Sequence, residues 1–252
     1  MGVLDRFLFQ RALERWSKIA RAAKTIDLSN LRRQRQRARQ MQARLNEVIA
    51  VADSRLALPL IGTKAMRRPA GSDWSWRPQL WREPLMTPGY ASVENKSSIG
   101  PETTIFHDCK VTELTVRQLR NHRDSDLAPF GVRMDVFRFD GSYLSMVIDL
   151  PEDAAQGLKK RHLVRMDTIV ETEKPLEIFA RLNVKHGPNT EQIVRELPLH
   201  EEEVLVEFDL AYTKMNEKRV ERMWVDLIFE GPEMNQIILR DVTFSRRPRA
   251  EL

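Results

Sequence analysis

The chain reads as a mainly β protein, a jelly-roll-like β-sandwich preceded by an N-terminal helical, coiled-coil-like extension. Three observations predict this. Beyond residue 100, apolar and polar residues alternate with period two in about ten short runs joined by turn residues, the pattern of strands buried on one face. Before residue 58, apolar residues recur at three- and four-residue steps, the period of a helix. Between them, Pro and Gly are too dense for long helices or central strands. The predicted division is therefore a basic helical arm at 1–58, a Trp/Pro-rich strap at 59–89 and a sandwich domain at 90–252. A chain of 252 residues with 42% hydrophobic and 31% charged residues can build such a core.

The arm carries the charge. Residues 1–53 hold twelve Lys or Arg against five Asp or Glu, a net +7 in a chain whose total is +5. Leu4, Leu8, Ala12, Trp16, Ile19 and Ala23 form an apolar stripe with Arg11, Arg15, Lys18 and Arg21 in the gaps. Residues 25–30 interrupt the pattern, and Asp27 or Ser29 can cap the helix that follows. There Leu31, Ala38, Leu45 and Ala52 fall seven apart, with Met41 and Val48 three residues after two of them, a coiled-coil-like seam weakened by Gln34. Such helices can fold back as a hairpin or pair between protomers, and the partner expected on this reading is a second copy, a homo-oligomer. The alternative is an electropositive helix on an anionic membrane surface or a protein. Nucleic acid is disfavoured, because no helix-turn-helix, zinc-finger or RNP-type pattern accompanies the basic run at 31–39.

Trp74, Trp76 and Trp81 lie within the Pro-rich connector, and three indoles so close together need a surface to cover. A strap laid across the sandwich is expected, with Arg77 and Arg82 available to pair or stack. An aromatic platform for sugar rings is the alternative.

Strands are predicted at 103–107, 111–119, 132–139, 143–150, 163–170, 176–185, 192–199, 203–212, 222–229 and 237–244, with a tight turn at Asp140-Gly141. The runs within 203–232 read as two antiparallel strands about a charged connector. In the first, Val204, Val206, Phe208, Leu210 and Tyr212 face the core; in the second, Met223, Val225, Leu227 and Phe229 do. The opposite faces present Tyr143, Ser145 and Asp149; Arg165 and Asp167; Phe179, Arg181 and Asn183; Glu207 and Asp209; Arg222, Trp224 and Asp226. On one shared sheet these would make a glycan surface, with Tyr143, Phe179 and Trp224 stacking on sugar rings and Arg181, Asn183, Asp209, Arg222 and Asp226 bonding hydroxyls. The competing expectation is a solvated face with cross-strand pairs such as Arg181 with Asp209 or Arg222 with Glu207, or a face closed by the strap or by a second chain in a structural assembly.

Residues 90–248, ending in IILRDVTFSRR, resemble the jelly-roll sandwiches of carbohydrate-binding modules and their galactose-binding-like relatives, whose last strand often runs apolar-Asp-Val-apolar. The resemblance implies a sandwich that binds glycans, and a structural calcium at Asp241 with Glu94 as a partner. No further set of carboxylates accompanies Asp241, so no metal or cofactor is assigned. Over nearly its full length the chain also resembles an uncharacterised alphaproteobacterial family of the Rhodobacter type, which implies a bacterial protein and no particular activity.

Catalysis has little to stand on. Alternation puts His107 and Cys109 on one side of a strand, the only thiol and imidazole pairing available. Glu207 with Asp226 is the candidate for a glycosidase carboxylate dyad. The remaining histidines lack zinc spacing, and no glycine-rich phosphate loop is present. The function expected is a non-catalytic binding or adaptor protein. With one cysteine, no apolar segment of spanning length and charges within the N-terminal apolar run, a cytoplasmic location is expected, cytoplasmic or peripheral to a membrane.

Overall fold

A computed structural model describes residues 3–56, 66–123, 125–200 and 203–249. The chain separates into two compact units, residues 1–49 and 50–252. In the first, α1 (Val3–Ala22) leads through a short turn into α2 (Leu28–Leu56). Asp27 caps α2, as expected: its carboxylate accepts from the Asn30 backbone N–H at 2.9 Å and the Ser29 hydroxyl at 2.6 Å. Near the turn, Trp16, Ile19 and Ala23 are half-buried, as are Leu31, Gln34 and Ala38 of the heptad seam. Farther along, Met41, Leu45 and Val48 of that seam are exposed. No helix among the described residues is long and apolar enough to cross a membrane.

The second unit is built from strands β1 (Trp74–Trp76), β2 (Gly89–Tyr90), β3 (Ser97–Ser98), β4 (Thr103–His107), β5 (Leu114–Arg120), β6 (Phe130–Val136), β7 (Leu144–Asp149), β8 (His162–Thr172), β9 (Glu177–His186), β10 (Asn189–Glu196), β11 (Glu203–Asp209), β12 (Val220–Glu230) and β13 (Asn235–Pro248). Two single-turn helices, α3 (Gln79–Arg82) and α4 (Glu152–Ala155), interrupt them. One sheet runs β11-β8-β13-β6-β5-β2, with β1 added beside β13; the other runs β10-β9-β12-β7-β4-β3. The inner faces form one core: Leu144, Met146, Ile148, Ile178, Leu182, Val225 and Leu227 of one sheet and Val164 and Met166 of the other are all essentially unexposed. The mainly β sandwich with a helical N-terminal extension is thus the architecture that the period-two runs predict.

Two β-bulges keep the alternation in step with the core. In β13 the register shifts between Leu239 and Asp241, so Ile237 and Leu239 before it and Val242 and Phe244 after it all face inward. Strict alternation without this bulge would put Asp241 on the same face as Ile237 and Leu239, in the apolar core. In β12 the shift between Val220 and Arg222 likewise keeps Glu221 outside.

The two runs within 203–232 are strands, but they belong to opposite sheets: β11 pairs with β8, and β12 lies between β9 and β7. The charged connector carries the chain from one layer to the other through two 3₁₀ turns. The strand ends at Asp209, whose carboxylate accepts from the Ala211 N–H at 2.9 Å. Tyr212, expected on the core face, consequently stands 83% exposed.

Residues 74–81 of the connector lie against β13. Trp74 and Trp76 pair with Arg246 and Phe244 of β13, and the Trp76 and Phe244 rings stack 6.1 Å apart. Trp81 is fully buried, and its indole N–H donates to the Leu239 carbonyl at 2.9 Å. Arg77, also buried, clamps Asp241 with Nε and Nη2 at 2.8 and 2.7 Å. Burial pushes the Asp241 carboxyl up and the guanidinium pulls it back. The pair therefore holds the strap to the seven-stranded sheet. Arg77→Met should leave Asp241 buried without this partner and cost about 3–5 kcal/mol in urea unfolding, whereas the double variant Arg77→Met/Asp241→Leu should recover most of that loss.

Candidate functional site

The outer face of the six-stranded sheet is a grid set by register. Trp224 of β12 stands opposite Asn183 of β9 and Asp149 of β7; Asp226 stands opposite Arg181 and Val147; Ile228 stands opposite Phe179 and Ser145. The β10 hairpin adds Gln192 beside Asn183, and β4 adds Phe106 beside Ser145. The described part of the strap lies on β13 of the other sheet, and none of its residues lines this face's groove.

Asp226 is the centre of the grid and is only 4% exposed. Arg181 Nε donates to Asp226 Oδ2 at 2.7 Å, its Nη2 forms an ion pair with the same oxygen at 2.7 Å, and Asn183 Nδ2 donates to that oxygen at 3.0 Å. Gln192 Nε2 in turn donates to Asn183 Oδ1 at 2.9 Å. Four side chains from three strands thus form one hydrogen-bonded row, each oriented by its neighbour. Among the described residues nothing donates to Asp226 Oδ1.

Around that row runs a groove of about 420 Å³, with Phe106, Tyr143, Trp224 and Ile228 as its apolar surfaces and Ser145 among its polar ones. Arg222 lies outside it, its guanidinium 4.5 Å from the centroid of the Trp224 ring, so it braces the indole. Phe179 shares the face beside Ile228 but is not part of the groove wall. Tyr143 is placed by a turn that Asp108 holds. Asp108 Oδ1 accepts the Ser142 and Tyr143 N–H groups at 2.7 and 3.3 Å, and Oδ2 accepts the Ser142 hydroxyl at 2.6 Å. Gly141 is required there, since a Cβ would sit 2.6 Å from Asp108 Oδ1.

Of the residues expected in a glycan surface, Tyr143, Arg181, Asn183, Trp224 and Asp226 therefore line one groove, and Arg222 and Phe179 adjoin it. Asp209 does not. It is on β11 in the other sheet, where it pairs with Arg249 at 3.2 Å. Arg165, Asp167 and Glu207 also belong to that sheet, so the polar faces do not combine into one surface. The anticipated ion pairs change accordingly: Arg181 meets Asp226, and Glu207 meets Arg247 at 3.0 Å.

Phe106, Val147, Gln192 and Ile228 were not expected in the site. Gln192 had a signal: the Gly187-Pro188 turn joins His186 to Asn189, and counting back along that hairpin sets Gln192 opposite Asn183.

The catalytic candidates come apart. Glu207 and Asp226 occupy opposite outer faces, with the sandwich core between them. His107 is buried and engaged at both ring nitrogens: Nε2 donates to the Val93 carbonyl at 2.9 Å and Nδ1 accepts the Cys109 N–H at 3.2 Å. Burial pushes the Cys109 thiol up, away from thiolate. Asp241 is held by Arg77 and Glu94 is exposed before β3 of the other sheet, so the calcium implied for them has no shared site. No cluster of three His, Cys, Asp or Glu among the described residues could hold a metal ion.

A second cleft of about 260 Å³ lies on the seven-stranded sheet, but its carboxylates are each gripped at both oxygens. Arg165 holds Asp167, Arg67 holds Glu203 and Arg77 holds Asp241. Each of these carboxylate oxygens thus already has a donor, whereas Asp226 Oδ1 in the groove has none among the described residues.

The whole chain, residues 1–252, matches the model of a family described as a family of unknown function, DUF6478, and belongs to it. No curated protein matches the chain in sequence. Among solved structures it is similar to the family 11 carbohydrate-binding module of Clostridium thermocellum in complex with a β-1,3-1,4-mixed-linked tetrasaccharide, at 10% identity and TM-score 0.40, over 67% of this chain and 100% of the module. It is similar to the enzymatically active domain of tailspike protein 4 of bacteriophage CBA120, at 9% identity and TM-score 0.41, over 59% of this chain but 21% of that one. The CBM22-1 xylan-binding domain from Paenibacillus barcinonensis Xyn10C aligns at 9% identity and TM-score 0.34, over 65% of this chain and 94% of the domain. At such overlap these likenesses carry no site residue across.

The donors on Asp108, with the Ser142 hydroxyl first, hold its carboxyl below the usual carboxylate range. A depressed native value means that its ordering of the Tyr143 turn is complete above about pH 4 and is lost as pH falls through the lower folded value. The Ser142 and Tyr143 amide signals should shift together in an acid titration monitored by NMR, and Asp108→Ala should abolish that transition.

Proposed function

We propose that the groove on the six-stranded sheet binds a glycan, and that the protein is a binding module rather than a catalyst. The observation that carries the reading is the row Gln192–Asn183–Asp226–Arg181, preorganised between Trp224 and Tyr143. Planar rings suit the C–H faces of pyranoses, and a carboxylate beside a guanidinium and amides suits vicinal hydroxyls. Asp226 Oδ1 is the acceptor left for a ligand O–H, and its buried setting makes that bond count.

The direction of the groove supports a chain-like ligand. It crosses β10, β9, β12, β7 and β4, and at roughly 4.8 Å per strand step it spans roughly 19 Å, the length of a short oligosaccharide. Asp226 and Arg181 are engaged with each other, an arrangement that positions hydroxyls and leaves no isolated acid or base to move protons.

Calorimetric titration of the full chain with a panel of β-linked oligosaccharides tests this. Asp226→Asn preserves shape but removes the charge, and it should weaken the best ligand at least tenfold while near-UV circular dichroism stays unchanged; Trp224→Phe should weaken it several-fold. Equal affinity in the parent and in Asp226→Asn, or no glycan held by the parent, would overturn the reading.

A further inference from the structure

We propose that residues 1–53 dock the protein on an anionic lipid surface, with the apolar faces of α1 and α2 lying in the headgroup layer. This stands on residues that the groove does not use.

The first observation is charge with few acidic partners. Of the twelve Lys and Arg in this segment, Arg44 alone meets a carboxylate among the described residues, Glu47 at 2.9 Å. On the sandwich, by contrast, Arg77, Arg165, Arg181, Arg240 and Arg246 are all paired with acids. Exposed cations set close together repel one another, and that repulsion is relieved by an anionic surface.

The second is the apolar stripe. At 3.6 residues per turn, Leu8, Phe9, Leu13, Trp16 and Ile19 fall within roughly 140° of α1. Trp16 and Ile19 are half-buried near the turn into α2, but Leu8, Phe9 and Leu13 are 55%, 55% and 48% exposed. In α2 the same change occurs: Ala38 is half-buried, whereas Leu45 and Val48 are 54% and 66% exposed. Arg6 and Arg15 border the α1 stripe, where long side chains can bury their stems and keep their charges at headgroup level.

Charge decides between occupants. A second arm would bring another +7 against the first. Nucleic acid would satisfy the cations but leave Leu8, Phe9 and Leu13 in water. A bilayer with anionic headgroups satisfies both requirements.

The test is flotation of the full-length protein with vesicles of phosphatidylcholine alone or with a third of phosphatidylglycerol. Binding should be at least tenfold stronger on the anionic vesicles and fall steeply as salt is raised above about 0.1 M, where screening sets in within roughly 10 Å. Two variants separate the contributions: Phe9→Glu/Leu13→Glu removes the apolar contact, and Arg32→Gln/Arg35→Gln/Arg39→Gln removes charge. Each should lower binding at least tenfold with helix content unchanged by circular dichroism. Asp226→Asn should float like the parent, so failure of the glycan reading and failure of this one are separable.

Three outcomes would overturn the proposal. Equal binding to both vesicle types excludes charge. Full binding by Phe9→Glu/Leu13→Glu excludes insertion, and points to nucleic acid if single-stranded RNA competes. Absence of vesicle binding, with light scattering that shows a dimer broken by Leu45→Glu, assigns the stripe to a second copy.

Discussion

The buried contact between Arg77 and Asp241 decides which side of the sandwich is closed. Two charges withdrawn from water are tolerable only when each is matched in full, and the two parallel bonds achieve that. The contact depends on the bulge at Arg240, which turns Asp241 outward at the point where the strap passes. Once the guanidinium is seated, the neighbouring residues have little choice: Trp76 comes to Phe244, and Trp81 fills the core below Leu239. The described part of the strap is thereby committed to the seven-stranded sheet, and none of its residues lines the groove on the six-stranded sheet.

Much of the fold was legible because alternation is a strong signal wherever a strand has one dry face. Leu144, Met146 and Ile148, or Ile178, Ala180 and Leu182, can be placed inward from the residues alone, and they are inward. Alternation reports the face of a strand, however, and not the sheet to which it belongs. The connector between β11 and β12 has the composition of a hairpin loop, yet it crosses between layers, and the choice is made by packing between residues far apart in sequence. The heptads of α2 show the opposite limit: a periodic stripe states that a face is apolar without stating what meets it.

The same distinction accounts for the candidate site. Arg181, Asn183, Trp224 and Asp226 come together because β9 and β12 are neighbours, and their outward positions follow from parity. Asp209 obeys the same parity on a strand of the other layer, and so it joins Arg249 instead. Phe106, Val147 and Ile228 have ordinary strand chemistry and become walls only through their position beside Asp226. Asp108 illustrates a third case. Its role lies in backbone donors supplied more than thirty residues later, and no local spacing announces them.

The pairing of β1 with β13 also sets an order of events for a chain made from its N-terminus. Arg77 precedes Asp241 by 164 positions, so the strap leaves the ribosome well before its partner strand exists. During that interval Trp76 lacks Phe244 and the Trp81 indole lacks the Leu239 carbonyl, and closure of so long a loop is a late step. Folding of the sandwich therefore waits on its last strand, and a nascent chain stopped short of β13 presents exposed indoles to chaperones and proteases.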